Sequence, residues 1–353
     1  MKTYSIAVLP GDGIGPEVIA EAVKTLRAVE QRFPLQFECK EYSVGAGEFL
    51  ASGDPLPPET FEFIQDHDAI LLGAMGLPNV RWPNGTEMAP QLDLREQLDL
   101  YAGLRPIRLV HSDATPLKGY EAGTIDIMIV RENCEGLFWS RKGSIESSES
   151  EVIDGMRISR AGSERLFEAA FEQAKKRRGK VTLVDKSNVL PSLAYFRRIF
   201  DEVAERYPSI EAERIYIDAS TLYLVQRPET FDVIVTENMF GDILSDLAAG
   251  LVGGMGMAPS ADIGDKYAVF QPSHGSAPDI AGQGKANPTA TILSAAMMLE
   301  WLGETEVAQA LDVAVEITMS DSANWTPDLG GSSSTAATGE RIRAELLATA
   351  FAR

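Results

Sequence analysis

Residues 231–256 read FDVIVTENMFGDILSDLAAGLVGGMG. The first six form an apolar, β-branched run that predicts a strand, and the segment from Glu237 onward predicts a helix. Strand ends that feed helix starts are where α/β proteins build their sites, so this stretch decides for an α/β fold. On a helix, Asp242 and Asp246 stand four residues apart and project from one face, with Cβ atoms about 5–6 Å apart. Such a pair can hold a divalent cation. The same spacing also suits two solvated aspartates on an amphipathic helix, and the rest of the chain has to decide between them.

Working outward, the alternation continues in both directions. Strands are predicted at 4–9, 37–44, 69–73, 125–130, 181–184, 214–217 and 313–317, and helices at 16–33, 90–100, 159–178, 191–206 and 288–302. Pro16 suits a first helical turn, where its missing N–H costs nothing. The glycines of PGDGIGP, residues 10–16, lack the G-x-G-x-x-G spacing of a dinucleotide fingerprint, and no lysine follows as in a P-loop. A tight turn that lets strand and helix pack closely explains them as well. Residues 140–153, rich in serine and glutamate, read as an exposed arm or hairpin. The run Lys175-Lys176-Arg177-Arg178 closes a helix, where cations complement the macrodipole. No internal repeat and no linker composition interrupts the pattern.

Composition narrows the partners. The 353 residues carry a formal net charge of −20, with 44% hydrophobic and 24% charged residues, an ordinary globular balance long enough for two domains. That charge argues against nucleic acid and anionic membranes. An anionic small molecule therefore has to be captured by locally clustered arginines. Cys39 and Cys134 are the only cysteines and form no metal spacing or disulfide framework, which fits a reducing cytoplasm. No signal segment and no bilayer-length apolar run is present.

The charged residues at predicted element ends are Arg95, Arg105, Arg131, Lys186, Asp218, Asp242 and Asp246. Three arginines can bind two carboxylates through bidentate contacts. Three aspartates can bind Mg²⁺ or Mn²⁺ through hard oxygen ligands. A lysine close to such a metal and such arginines would have its pKa depressed and could act as a base.

With these residues the sequence resembles the β-decarboxylating dehydrogenases, the family of isopropylmalate, isocitrate, homoisocitrate and tartrate/D-malate dehydrogenases. The likeness runs through LPGDGIGPEV (9–18), LDLYAGLRP (98–106), VRENCEG (130–136), VDKSNVL (184–190), FGDILSD (240–246), HGSAPDIAGQGKANPTA (274–290) and PDLGGSSST (327–335). It implies an isopropylmalate-dehydrogenase-like two-domain α/β fold with a mixed central sheet, not a Rossmann fold. One domain would combine residues 1–100 and 253–353; the other would be 101–252 and carry the dimer arm. Arg95, Arg105 and Arg131 would bind the malate carboxylates. Asp242 and Asp246, with Asp218 from the partner subunit of a homodimer, would hold the metal, and Lys186, also from the partner, would take the hydroxyl proton. His274, Gly275, Ser276, Ala277, Asp279 and Asn287 would hold the adenosine end of the cofactor. Asp279 points to NAD, because a carboxylate would repel the 2′-phosphate of NADP.

The resemblance implies NAD- and metal-dependent oxidative decarboxylation of a 3-substituted malate. The residues one turn before Arg95 would read the substituent: Met88, Ala89, Gln91 and Leu92. Met88 and Leu92 favour an apolar group such as isopropyl, whereas Gln91 can hydrogen-bond a hydroxyl or carboxylate, which keeps isocitrate/homoisocitrate and tartrate/D-malate as alternatives. One position departs from the family. Its acid tyrosine, two residues after the glycine of VRENCEG, is Phe138 here, and this motivates a reading of another class, a non-catalytic ligand-binding or regulatory homologue.

Overall fold

The computed structural model describes residues 2–143 and 146–348. The chain divides into two units, one formed by Met1–Leu94, Gly253–Ala261 and Lys266–Arg353, the other by Arg95–Val252 and Asp262–Asp265.

The first unit begins with β1 (Lys2–Gly11), α1 (Gly15–Arg32), β2 (Leu35–Glu41), α2 (Ala46–Ser52), α3 (Pro58–Ile64) and β3 (Ala69–Ala74). Pro16 does lie in the first turn of α1. The turn between β1 and α1 is tight for a specific reason. Gly13 has φ +58°, and a Cβ there would meet the Ser276 carbonyl oxygen at 1.9 Å, so only glycine fits. Asp12, in the same turn, is buried and accepts backbone N–H bonds from Ala46, Gly47 and Gly76, each at 2.8 Å. One carboxylate thus ties the turn to the chain after β2 and to the end of β3.

Helix α4 (Pro90–Gln97) leads into the second unit. There follow β4 (Ala102–Arg108), β5 (Asp126–Glu132), β6 (Glu146–Ser147), β7 (Val152–Ile153), α5 (Arg160–Lys175), β8 (Lys180–Asp185), α6 (Pro191–Ala204), β9 (Glu211–Tyr216), α7 (Ile217–Gln226), β10 (Val233–Thr236) and α8 (Asn238–Gly250). The strand order is β4-β5-β10-β8-β9. β4 runs antiparallel to β5 and the other pairs are parallel, so the sheet is mixed. β5, β8 and β10 are almost wholly buried, which is why they read as continuous apolar runs. In the expected arm, β6 and β7 pair as an antiparallel hairpin with exposed Val152 and Ile153, while Ser144 and Ile145 lie outside the described residues. The basic run after α5 reaches past the helix end: Arg177 donates to Asp232 at 2.9 Å and to Asp126 at 2.8 Å.

The chain returns to the first unit through β11 (Pro259–Ile263), β12 (Ala268–Pro272), α9 (Thr289–Trp301), α10 (Thr305–Met319) and α11 (Thr335–Ala348). The order there is β2-β1-β3-β12-β11, with β1 parallel to β2 and β3, and β12 parallel to β3. Two expectations need correction. The predicted strand at 313–317 lies inside α10, whose buried residues Val307, Ala308, Leu311, Ala314, Val315 and Thr318 follow a helical period. Asp218 stands not at a strand end but in the first turn of α7. Among the described residues no helix is long and apolar enough to cross a membrane.

Candidate active site

The second unit gathers the three predicted arginines. Arg131 on β5 lies opposite Gly103 on β4, and Arg105 is two residues along β4, so both side chains leave the same face of the sheet. Arg95 comes from α4. All three are buried, at 4%, 5% and 1% exposure for Arg95, Arg105 and Arg131. Arginines are almost never this buried unless partnered, so their surroundings define the site.

The partners come largely from α8. Arg131 donates through Nε and Nη2 to Asn238 Oδ1, at 3.1 and 2.7 Å, and through Nη1 to Asp242. Arg105 Nη1 donates to Ser245 Oγ at 2.6 Å and lies 3.9 and 3.8 Å from Asp242 and Asp246. Close approach of α8 to β5 depends on Gly241, because a Cβ there would fall 2.6 Å from Arg131 Cγ. This is the physical reason for glycine in FGDILSD. Arg95 Nε donates to the buried Asp262 at 2.9 Å, and Asn133 Nδ2 donates to the other oxygen of Asp262 at 2.8 Å.

The electrostatics are those of a site awaiting anions. Burial, and then the neighbouring Arg95, lower the pKa of Arg105; burial and then Arg105 and Arg95 do the same for Arg131. The Nε of Arg105 is enclosed and has no hydrogen-bond partner. An unpaired buried guanidinium N–H is costly, and a carboxylate is the group that fits its fork. Burial raises the pKa of Asp246, with Asp242 adding to the shift and Arg105 opposing it.

Asp242 and Asp246 keep their side chains 43% and 47% exposed despite the arginines beside them, so their outer oxygens remain open. Hard carboxylate oxygens suit Mg²⁺ or Mn²⁺. Among the described residues, however, no group of three or more His, Cys, Asp or Glu side chains could hold a metal ion, so Asp218 does not join them within one chain. Asp218 instead accepts from Lys186 Nζ at 2.5 Å, and that bond holds its carboxyl below the usual range. Lys186 follows Asp185, which is fully buried and clamped by Arg197 at 2.7 and 2.8 Å while accepting from Ser187 N.

The predicted cofactor loop belongs to the first unit. Ser276 Oγ donates to the Gly76 carbonyl at 2.5 Å and its own carbonyl accepts from Ile14 N at 2.8 Å. Ala277 has φ +36°, a strained value for a residue with a Cβ. Glu17 on α1 accepts from the N–H groups of Gly282 and Gly284. Asn287 donates to Asp328 and accepts from Thr289 N, Gly275 and Asp279 are exposed, and the enclosed Nε2 of His274 has no partner. The loop is therefore pinned from beneath by the glycine turn. On α4, Gln91 and Leu92 are partly buried and Gln91 Oε1 is enclosed without a partner, whereas Met88 is fully buried in a core cluster with Ala46 and Val80.

Sequence reasoning missed Asn238, Ser245, Asn133, Asp262 and Glu17. A signal existed for Asp262, a lone charge in the buried strand β11. Phe138 lies against the arginines, its ring centroid 5.3 Å from the Arg131 guanidinium carbon, a cation–π contact.

A sequence profile described as Isocitrate/isopropylmalate dehydrogenase matches residues 5–344. The chain is 45% identical over 338 residues to a 3-isopropylmalate dehydrogenase of Aquifex aeolicus (strain VF5), covering 93% of this chain and 92% of that one. It is 47% identical over 335 residues to one of Moorella thermoacetica, covering 92% and 93%. Among solved structures, an isocitrate dehydrogenase from Methylococcus capsulatus superposes with a TM-score of 0.87 at 38% identity, covering 98% of this chain and 99% of the other. A β-decarboxylating dehydrogenase from Thermococcus kodakarensis gives 0.81 at 41% identity, covering 97% and 96%.

Proposed function

The chain belongs to the isocitrate/isopropylmalate dehydrogenase family, and we propose that it oxidises and decarboxylates a 3-substituted D-malate, 3-isopropylmalate by preference, using NAD and a divalent cation. The observation that carries this reading is the buried cluster Arg95, Arg105 and Arg131, with the unpaired Nε of Arg105, set against the open carboxylates of Asp242 and Asp246.

The arginines bind and orient the two substrate carboxylates, and their burial excludes the water that would compete for them. Lys186, from a second copy of the chain, takes the proton from the substrate hydroxyl oxygen, and Asp218 beside it holds the ammonium so formed. Residues of the loop 274–287 would hold NAD, which would supply the hydride acceptor for the oxidation. Asp242 and Asp246, with Asp218 of the partner subunit, would hold the divalent cation, which would supply Lewis-acid chemistry for the loss of the β-carboxylate as CO₂. Asp279, exposed on the loop, favours the unphosphorylated ribose of NAD.

A homodimer follows from the same reading. Among the described residues no third carboxylate joins Asp242 and Asp246 in a metal-holding group, and Lys186 and Asp218 travel together. The elements that carry these groups also expose apolar side chains that a second copy would cover: Val189, Leu222, Val225 and Ile243 are 46–63% exposed.

The test is NADH formation with Mg²⁺ or Mn²⁺ over 3-isopropylmalate, isocitrate, D-malate and tartrate. Turnover highest with 3-isopropylmalate is expected; absence of turnover with every member would overturn the enzyme reading.

A further inference from the structure

Asp262 has no role in the reading above, yet it is the most buried of the carboxylates paired with the arginines. It is 1% exposed and is bonded to Arg95 and Asn133. Its charge also reaches the other two arginines: Asp242, Asp262 and Asp246 offset the burial of Arg105, and Asp242 and Asp262 that of Arg131. Burial favours the neutral acid, but Arg95 and Arg105 outweigh it and hold the carboxyl below its usual range. Its ion pair with Arg95 thus favours the ionised form of Asp262.

The charges of the ion-paired side chains then balance. Arg95, Arg105 and Arg131 contribute three positive charges, and Asp242, Asp246 and Asp262 three negative ones. Lys186 and Asp218 add no net charge while the lysine is protonated, as in their ion pair, and the lysine gives up that proton before it acts as the base. A bound divalent cation leaves two positive charges, which match the two carboxylates of a malate whose substituent is uncharged. A third carboxylate would enter a buried site without a counter-charge, and that is expensive. Without Asp262 the surplus would be three.

We propose that Asp262 is a specificity-determining positioning residue. It fixes the Arg95 guanidinium by its Nε edge and sets the charge of the arginine cluster so that dicarboxylates are accepted and tricarboxylates rejected. The proposal rests on the reading of the arginines as the substrate carboxylate site.

Two measurements test it. The first is kcat/KM for isocitrate relative to 3-isopropylmalate in the wild type and in Asp262→Asn, which keeps the shape and an oxygen for Arg95 while removing the charge. The ratio should rise by about tenfold or more in the variant. A purely structural role would lower both values in parallel, and an unchanged ratio overturns the proposal. The second needs no variant and no turnover: calorimetric titration of the Mg²⁺-loaded wild type with glutarate and with tricarballylate, which differ by one carboxylate. Weaker binding of tricarballylate is expected, and equal or tighter binding overturns the proposal even where Asp262→Asn fails to fold. Preference for glutarate without turnover of any malate would sink the dehydrogenase reading and leave the role of Asp262 standing.

Discussion

Lys186 and Asp218 form an ion pair of 2.5 Å within one chain, while no third carboxylate joins Asp242 and Asp246 there among the described residues. If two copies share each site, one copy supplies the lysine half and the other the aspartate half. Lys186→Met and Asp242→Asn should each abolish activity as homodimers, since the first removes the proposed base and the second a proposed metal ligand. Dissociated, mixed and reassociated, the two variants should recover roughly a quarter of wild-type activity, because half the dimers are mixed and each holds one intact site. Refolded mixtures that stay inactive while wild-type controls recover would exclude the shared site.

What the sequence disclosed divides along physical lines. Buried parallel strands such as β5, β8 and β10 were legible because burial on both faces demands a continuous apolar run. Val313–Ile317 misled because five residues with β-branched side chains at every second position imitate a strand; only the spacing from Val307 to Thr318 shows a helix. β11 and β12 lay between glycine- and proline-rich turns and were missed altogether. In the site, Arg95, Arg105 and Arg131 were found because they end or follow the elements the sequence predicts. Asn238 and Asp262 were not, because they act on those arginines and their role exists only once β11 and α8 are folded beside them.

His274 gives the molecule a dependence on pH. Burial lowers its pKa below the ordinary 6.5, so the folded state keeps the imidazole neutral. As pH falls, the unfolded chain takes up the proton first. This contribution to stability is therefore fully present above pH 6.5 and is lost as the pH drops through the lower folded value. Scanning calorimetry between about pH 8 and 5 should show a falling melting temperature below the unfolded value, and His274→Asn should flatten the fall. Some slope should remain from His67, which burial shifts in the same direction. A slope unchanged by His274→Asn would show that the imidazole is solvated in the folded protein.

Phe138 raises the question of how the product enolate acquires its proton. The family places an acid tyrosine at this position, and here the ring is retained against Arg131 while the hydroxyl is absent. Because the ring already packs against Arg131, Phe138→Tyr adds a donor without asking the backbone of the short turn Leu137–Lys142 to move. Hydride transfer and loss of CO₂ depend on other groups, so KM for the malate should change little. The turnover number should rise, by up to about the 10²-fold that a positioned acid contributes, to the extent that protonation limits it, and the solvent isotope effect on kcat should fall with it. A variant with lower turnover would mean that protonation is carried by another donor and that the pocket around Phe138 has been rebuilt to suit it. Steady-state kinetics in H₂O and D₂O on the two proteins separates these outcomes.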